Sequence, residues 1–413
     1  MNGLPPYVGA VLAALRFRSP QPQALATLDE AGWRQALLFC DRSQLTLPLA
    51  LTSREYLPQW VATRIDRDLE KSAERWQRVK NAYAEAATAF ESAGLECAVL
   101  KGFSHYPRFV GHPHHRYQGD LDLLFTPAQV HEAYQAARDL GYVPIAADDS
   151  HPTNHLPTLI RKTGWIWTGD YFDPEIPIAL ELHFGVWDER TELFAPAGIE
   201  EFWNRRRQRR IDDLCFTGFH PADETAIACL HVMCHLLRGS LRPSHVYEMA
   251  WMLDRSTADE AFWETWRELH DPFLRRLEAT CFALSERWFR CGMPAAALDE
   301  IERLAAELKR WLDLYSWSPL SSPFRPNKDE LWLHWSLLDC GRSRMRVLAR
   351  RLLPRGLPGA VDTVTVPREQ LTWSVRWRAR CRYMGYLASR VLHHARALLP
   401  TVRSAIRWFG STA

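Results

Sequence analysis

Two acids, Asp120 and Asp122, stand one residue apart in the otherwise apolar run DLDLLF. On an extended strand alternate residues share a face. Both carboxylates therefore point one way, while Leu121, Leu123 and Phe125 point the other. Like charges this close are unfavourable unless one is protonated or a cation lies between them. Magnesium suits such a pair, because it takes hard carboxylate oxygens and keeps positions open for phosphate. A half-exposed strand carrying two solvated acids would give the same pattern without chemistry.

A second strand-like block, IPIALELHF (176–184), alternates in the same way. Ile178, Leu180, Leu182 and Phe184 share one face; Ala179, Glu181 and His183 share the other. Three carboxylates on two strands satisfy the demand of a two-metal site, whose ions lie roughly 3.5–4 Å apart and share a bridging acid. His183 reads equally well as a ligand or as a satisfied structural histidine. Lys101-Gly102 closes the short apolar run LECAVLKG. Glycine lets backbone N–H groups approach a phosphate, and lysine adds a point charge. On its own a Lys-Gly pair is more simply an ordinary turn.

Taken together, VLKGFSHYPRF, RYQGDLDLLF, NHLPTLI and IALELHFGVW, spanning residues 97 to about 190, resemble the uncharacterised nucleotidyltransferase family of bacteria within the polymerase-β-like superfamily. That superfamily has a glycine turn, an acid-x-acid strand and a third carboxylate on a later strand. Gly102, the pair Asp120 and Asp122, and Glu181 match these. Here the turn reads Gly-Phe-Ser, ending at Ser104, and the gap to Asp120 is longer than the general pattern. Lys101, Arg116, His155 and His183 fall where the family's LKG, R-x-x-x-D, HH-L-P and ELH elements lie.

The resemblance implies transfer of a nucleoside monophosphate from an NTP, ATP among them, to a hydroxyl acceptor, with release of pyrophosphate. Asp120, Asp122 and Glu181 would be the catalytic ligands of Mg²⁺ or Mn²⁺. Lys101, Gly102, Ser104, Arg116, His155 and His183 would line the nucleotide. The acceptor is left open among protein, sugar, metabolite and RNA. Two rival readings stand beside this one. One is a catalytically silent scaffold that binds a nucleotide or a partner. The other is a membrane-associated accessory protein of cell-surface polymer or peptide natural-product biosynthesis.

The elements that must position these residues follow from periodicity. Residues 54–94 carry apolar positions at steps of three and four, which predicts a long helix ending at Gly94. A turn-rich loop, FSHYPRFVGHPHHRYQG, leads into the first acid strand. TPAQVHEAYQAARDLG predicts a helix with Thr126 as N-cap, Pro127 at its first position and Gly141 closing it. RRRQRR (205–210) reads as a solvated loop, or as a patch for an anionic substrate or RNA. Helical periodicity returns after about residue 220. There Cys229, His231, Cys234 and His235 read as a packed helix face, because the cysteine spacing fits no zinc pattern. The expected fold is α+β: a small mixed sheet with a nucleotidyltransferase core, flanked by helical regions and mostly α overall. Its expected organisation is a helical region 1–90, a core 91–215, a helical domain 216–340 and a basic helical segment 341–413.

Composition bounds the rest. The chain has 413 residues, is 47% hydrophobic and 24% charged, and has a formal net charge of +2, enough for two or three cores. No apolar run reaches transmembrane length. The opening MNGLPPYVGAVLAALRF has no basic residues before its apolar part and reads as a helix, not a signal peptide. Nine cysteines without a CxxC pair predict free thiols in a reducing cytoplasm. Eighteen tryptophans predict large helix-packing surfaces. Residues 341–413 hold fifteen Arg, no Lys and two acids, a net +13, so the first 340 residues carry −11. This segment reads as a helix face with Arg outward, as a surface for anionic lipid, or as a binder of single-stranded nucleic acid. On the lipid reading the protein would be cytoplasmic and peripheral to the membrane.

Overall fold

The computed structural model describes residues 3–145, 154–353, 366 and 372–410. Four helices come first: α1 (Pro6–Ala14), α2 (Glu30–Ser43), α3 (Thr46–Ser53) and α4 (Gln59–Ser92). The opening segment is helical as expected. In α4, Val61, Ile65, Ser72, Trp76, Val79, Tyr83, Ala86 and Phe90 are buried along one stripe. Gly94 ends it at φ +69°. The Gly94 N–H donates to the Glu91 carbonyl and the Leu95 N–H to that of Phe90, the paired closure that satisfies orphan carbonyls at a helix end.

A five-stranded mixed sheet follows, interrupted by one helix. Its strands and that helix are β1 (Ala98–Val99), β2 (Asp120–Leu124), α5 (Val130–Asp139), β3 (Val143–Pro144), β4 (Leu159–Ile160) and β5 (Ala179–His183), in the spatial order β1-β2-β5-β4-β3. Strands β2 and β5 are parallel, and the other pairs are antiparallel. The parallel pair aligns Asp120 with Ala179, Asp122 with Glu181 and Leu124 with His183. Helix α5 starts later than predicted. Phe125 is still paired to β5 through its N–H on the His183 carbonyl, and residues 126–130 then make a separate turn in which the Gln129 and Val130 N–H groups both donate to the Thr126 carbonyl. Thr126 caps no backbone N–H with its side chain; its hydroxyl donates to Gln129 Oε1. Gly141, at φ +86°, closes α5 as expected.

After the short helix α6 (Glu189–Glu192), residues 207–211 are not a loop. They form β6 (Arg207–Ile211), hairpinned to β7 (Leu214–Gly218). Their cations, and the two before them, are largely held by the body. Arg205 makes two 2.8 Å bonds to Asp223, and Arg206 lies over the Trp203 ring and reaches Glu96. Arg209 bonds Glu224 and the Ser104 carbonyl. The helical body comprises α7 (Pro221–Arg238), α8 (Pro243–Arg255), α9 (Glu260–Leu269), α10 (Pro272–Phe289), α11 (Ala295–Glu302), α12 (Ala306–Tyr315), α13 (Ser318–Ser321), α14 (Glu330–Leu337), α15 (Gly341–Leu352) and α16 (Trp373–Gly410). The chain is thus α+β and mostly helical. Trp266, Trp288, Trp311 and Trp332 are fully buried within this body, and all nine cysteines are free.

Each side of the sheet meets its own core. Leu121, Leu123, Phe125, Leu180 and Leu182 pack on α4 and α5. Ala98, Leu100 and Leu124 belong to the larger cluster built by α1–α3 and the helical body. The face of β2 that carries the acids therefore looks toward the helices after residue 220.

Candidate functional site

Asp122 is the buried centre of the acid face, with 1% of its surface exposed. A carboxylate this deep is costly unless it is paired. Its Oδ1 accepts from Lys101 Nζ at 3.0 Å and lies 3.1 Å from His183 Nε2. Its Oδ2 is buried with no hydrogen-bond partner. Glu181 is the neighbour of Asp122 across the parallel pair. Its Oε1 accepts from the Thr158 hydroxyl at 3.0 Å, and its Oε2 lies 3.7 Å from His183 Nε2. The ligand atoms of Asp122, Glu181 and His183 all lie within 4.8 Å of one another. Asp120 stands one pleat along the same face, outside that trio.

The charges are mutually tuned. Burial alone would lower the Lys101 amine, but Asp122, Asp120 and Glu181 outweigh it and hold the pKa above its ordinary value. His183 follows the same pattern: burial opposes its charge, and the Asp122 and Glu181 carboxylates raise its pKa nonetheless. Burial works against ionised Glu181, yet His183 and Lys101 hold its carboxyl below the usual range. Asp120 is raised to about 6, by burial first and then by the charge of Asp122.

Lys101 and Gly102 reach the site because β1 pairs with β2 and the Leu100 N–H donates to the Asp122 carbonyl. Gly102 has φ +79°, and the Gln118 side-chain amide packs where a Cβ would stand. Only glycine fits there without strain. Ser104 follows in the same 3-10 turn and is buried, its carbonyl taken by Arg209. Arg116 is not free above the turn: its Nε donates to Glu248 Oε1 at 2.9 Å, while His105 Nδ1 meets Glu248 Oε2 at 2.8 Å. His155 forms an antiparallel bridge opposite His183, with ring centroids 5.1 Å apart.

Three contributors escaped the sequence reading. Glu248 on α8 neutralises Arg116. Thr158 orients Glu181. Arg75, in the middle of α4 and 2% exposed, donates to the carbonyls of Gln118, Pro174, Ile176 and Gly119. It thereby clamps the segment entering β2 to the segment entering β5, beside the backbone pairing that aligns Asp122 with Glu181. A long-range clamp onto main-chain carbonyls leaves no local pattern. The one signal was an arginine placed on the buried stripe of an amphipathic helix.

The donor set fits a divalent cation. It offers two carboxylates and an imidazole, and one buried oxygen, Asp122 Oδ2, lacks a partner. Comparison with known families agrees with this chemistry. The profile of the uncharacterised nucleotidyltransferase family matches residues 29–290, more than half of the chain, and the chain belongs to that family. No curated protein and no solved structure matches it.

Proposed function

We propose that this nucleotidyltransferase moves a nucleoside monophosphate from an NTP to a hydroxyl group, with Asp120, Asp122 and Glu181 as the catalytic carboxylates. The observation that carries this reading is the β2–β5 register, which sets Asp122 beside Glu181 on one face with Lys101 against them. Asp122, Glu181 and Asp120 would hold Mg²⁺ or Mn²⁺, with His183 beside them. Such an ion supplies charge neutralisation for the phosphates. In the transfer the acceptor oxygen bonds to the α-phosphorus, the bond to the β-phosphate oxygen breaks, and pyrophosphate leaves. The hydroxyl proton passes to Glu181, whose two oxygens are oriented by Thr158 and His183. Lys101 neutralises phosphate charge, and the tight turn at Gly102 offers backbone N–H groups. His155 and Ser104 flank these groups, and Arg116 contributes its charge from the Glu248 pair. Catalysis of this kind needs mainly positioning and charge stabilisation from the protein.

The test is incubation of the protein with each α-³²P-labelled NTP in a lysate. Label should pass to an acceptor only with a divalent cation, and not with Asp122→Asn. No labelled product with any NTP would leave the silent-scaffold reading standing instead. Lys101→Ala should weaken NTP binding more than it weakens metal binding.

A separate observation favours a membrane role for the basic segment. Among the described residues helix α16 buries only side chains of its C-terminal part: Ala397, Thr401, Ser404 and Trp408 are buried, the Tyr315 hydroxyl donates to the Ser404 carbonyl, Trp332 stacks near Trp408, and His394 Nδ1 meets Lys328 Nζ at 2.6 Å. From Trp373 to Arg396 no residue is buried. Along this helix Trp373, Trp377, Met384, Val391, Leu398 and Val402 form an exposed apolar stripe at helical spacing, flanked by arginines. Among the described residues no helix is long and apolar enough to cross a membrane. A basic helix with an exposed apolar stripe suits the surface of anionic lipid. Co-sedimentation with phosphatidylserine vesicles should fall with rising salt and with Trp373→Ser/Trp377→Ser. Equal binding to neutral vesicles, or salt-sensitive binding to single-stranded RNA alone, would overturn it.

A further inference from the structure

A second group of potential ligands sits on the helical wall. His231 and His235 are one turn apart on α7, and His245 reaches them from the first turns of α8. Ring centroids are 4.5 Å apart for His231–His235 and for His231–His245, and 5.3 Å for His235–His245. One nitrogen from each ring lies within 4.8 Å of the other two.

Two further features separate this arrangement from ordinary ring packing. His245 Nδ1 is buried without a hydrogen-bond partner, and such groups are rare in a native interior without a reason. His235 Nδ1 is bonded to the Ser240 hydroxyl at 3.0 Å, which fixes the ring and leaves Nε2 as its other donor atom. An outer hydrogen bond on the second nitrogen is the usual support of a metal-bound imidazole.

We propose that His231, His235 and His245 bind one divalent transition-metal ion of the zinc class, distinct from the ion of the carboxylate group. Three imidazoles with a fourth position open is a set that zinc accepts, whereas magnesium and calcium require oxygen ligands. Among the described residues, charged groups that act on the cluster include Lys101, Arg116, Arg242 and Arg238, with the Glu181 carboxylate on the side of His235. A weakly held hard cation would be repelled there. A metal bound through nitrogen coordination is retained, and the surrounding cations then favour an anion, such as a phosphate oxygen, at its open position. Geometry alone carries this site, so it stands whether or not the carboxylates catalyse transfer.

Cobalt(II) reports the site directly, because four-coordinate cobalt with nitrogen donors absorbs strongly in the visible. The full chain, stripped with chelator and titrated with Co²⁺, should develop one such band per chain. Zinc should remove it, and excess magnesium should not. The band should vanish in His231→Gln and His245→Gln and persist in Asp122→Asn. X-ray absorption of the cobalt-loaded unmodified protein should show imidazole scattering, a readout that needs no variant to fold. Absence of the band from the folded protein overturns the proposal. So does a band lost in Asp122→Asn but kept in the histidine variants, or an oxygen-only ligand shell.

Discussion

The carboxylate group on the sheet and the imidazole group on the helices face each other across Lys101, yet they are built on opposite principles. The first is charged and already balanced: Asp122 is held between Lys101 and His183, and its register with Glu181 is set by backbone ladders. The second carries no acid of its own, and it depends on one helical turn and a neighbouring helix. The sheet site must therefore be assembled by elements distant in sequence. The helix site is assembled by the packing of α7 on α8. Damage to the strands should break one and spare the other.

The largest expected effect tests that dependence. Arg75→Ala removes charged hydrogen bonds to four carbonyls, of which that of Gly119 keeps the Ala179 N–H while those of Gln118, Pro174 and Ile176 lose this donor, a loss of about 4–5 kcal/mol. Urea unfolding should show it, and nucleotidyl transfer should fall in whatever protein remains folded. Asp122→Asn comes next. It should cost about 10²–10³ in transfer rate, since it removes preorganised charge from the site, and it should also lower stability, because buried Lys101 and His183 lose the carboxylate that pairs them. A Tm drop of many degrees without loss of labelling would assign Asp122 to the fold instead.

His270 extends the comparison to a histidine that is charged and away from either group. Its Nδ1 lies 2.9 Å from Glu278 and its Nε2 3.6 Å from Asp223, all three fully buried. Burial pulls its pKa down, but the two carboxylates raise it from 6.5 to about 9. The folded value is above the unfolded one. The stabilisation is therefore complete below pH 6.5 and is lost as pH rises through about 9, on the order of 3 kcal/mol. Urea midpoints measured across that window should decline, and His270→Gln should start lower and stay flat. The smallest effect is expected at the turn. Gly102→Ala introduces a side chain at φ +79° and displaces Gln118, a strain of about 2 kcal/mol. NTP affinity should fall with it while the cobalt band is unchanged.

The sequence announced the sheet site because acids in an apolar strand conflict with their surroundings. Asp120, Asp122 and Glu181 stand out for that reason, and period-two alternation placed them on one face. The long helix α4 and its stop at Gly94 were legible from local rules as well. What stayed hidden depends on partners far apart in the chain. Arg116 meets Glu248 across 132 positions, and Arg205, Arg206 and Arg209 are spent on Asp223, Glu96 and Glu224, so a run that reads as a solvated loop is a strand and its approach, with three of five arginines paired and Arg207 and Arg210 exposed. The imidazole group was half visible. His231 and His235 share a helix face by spacing, but His245 completes the set only once α8 folds back.

The Arg75 clamp also bears on how freely the chain can vary. Its acceptors are main-chain carbonyls, which every amino acid supplies. Positions 174 and 176 can therefore exchange side chains without loosening the alignment of Asp122 and Glu181. Inserting or deleting a residue there would move the carbonyls themselves. The approach to β5 should tolerate substitution broadly and changes of length hardly at all, and a library that varies both can show that difference.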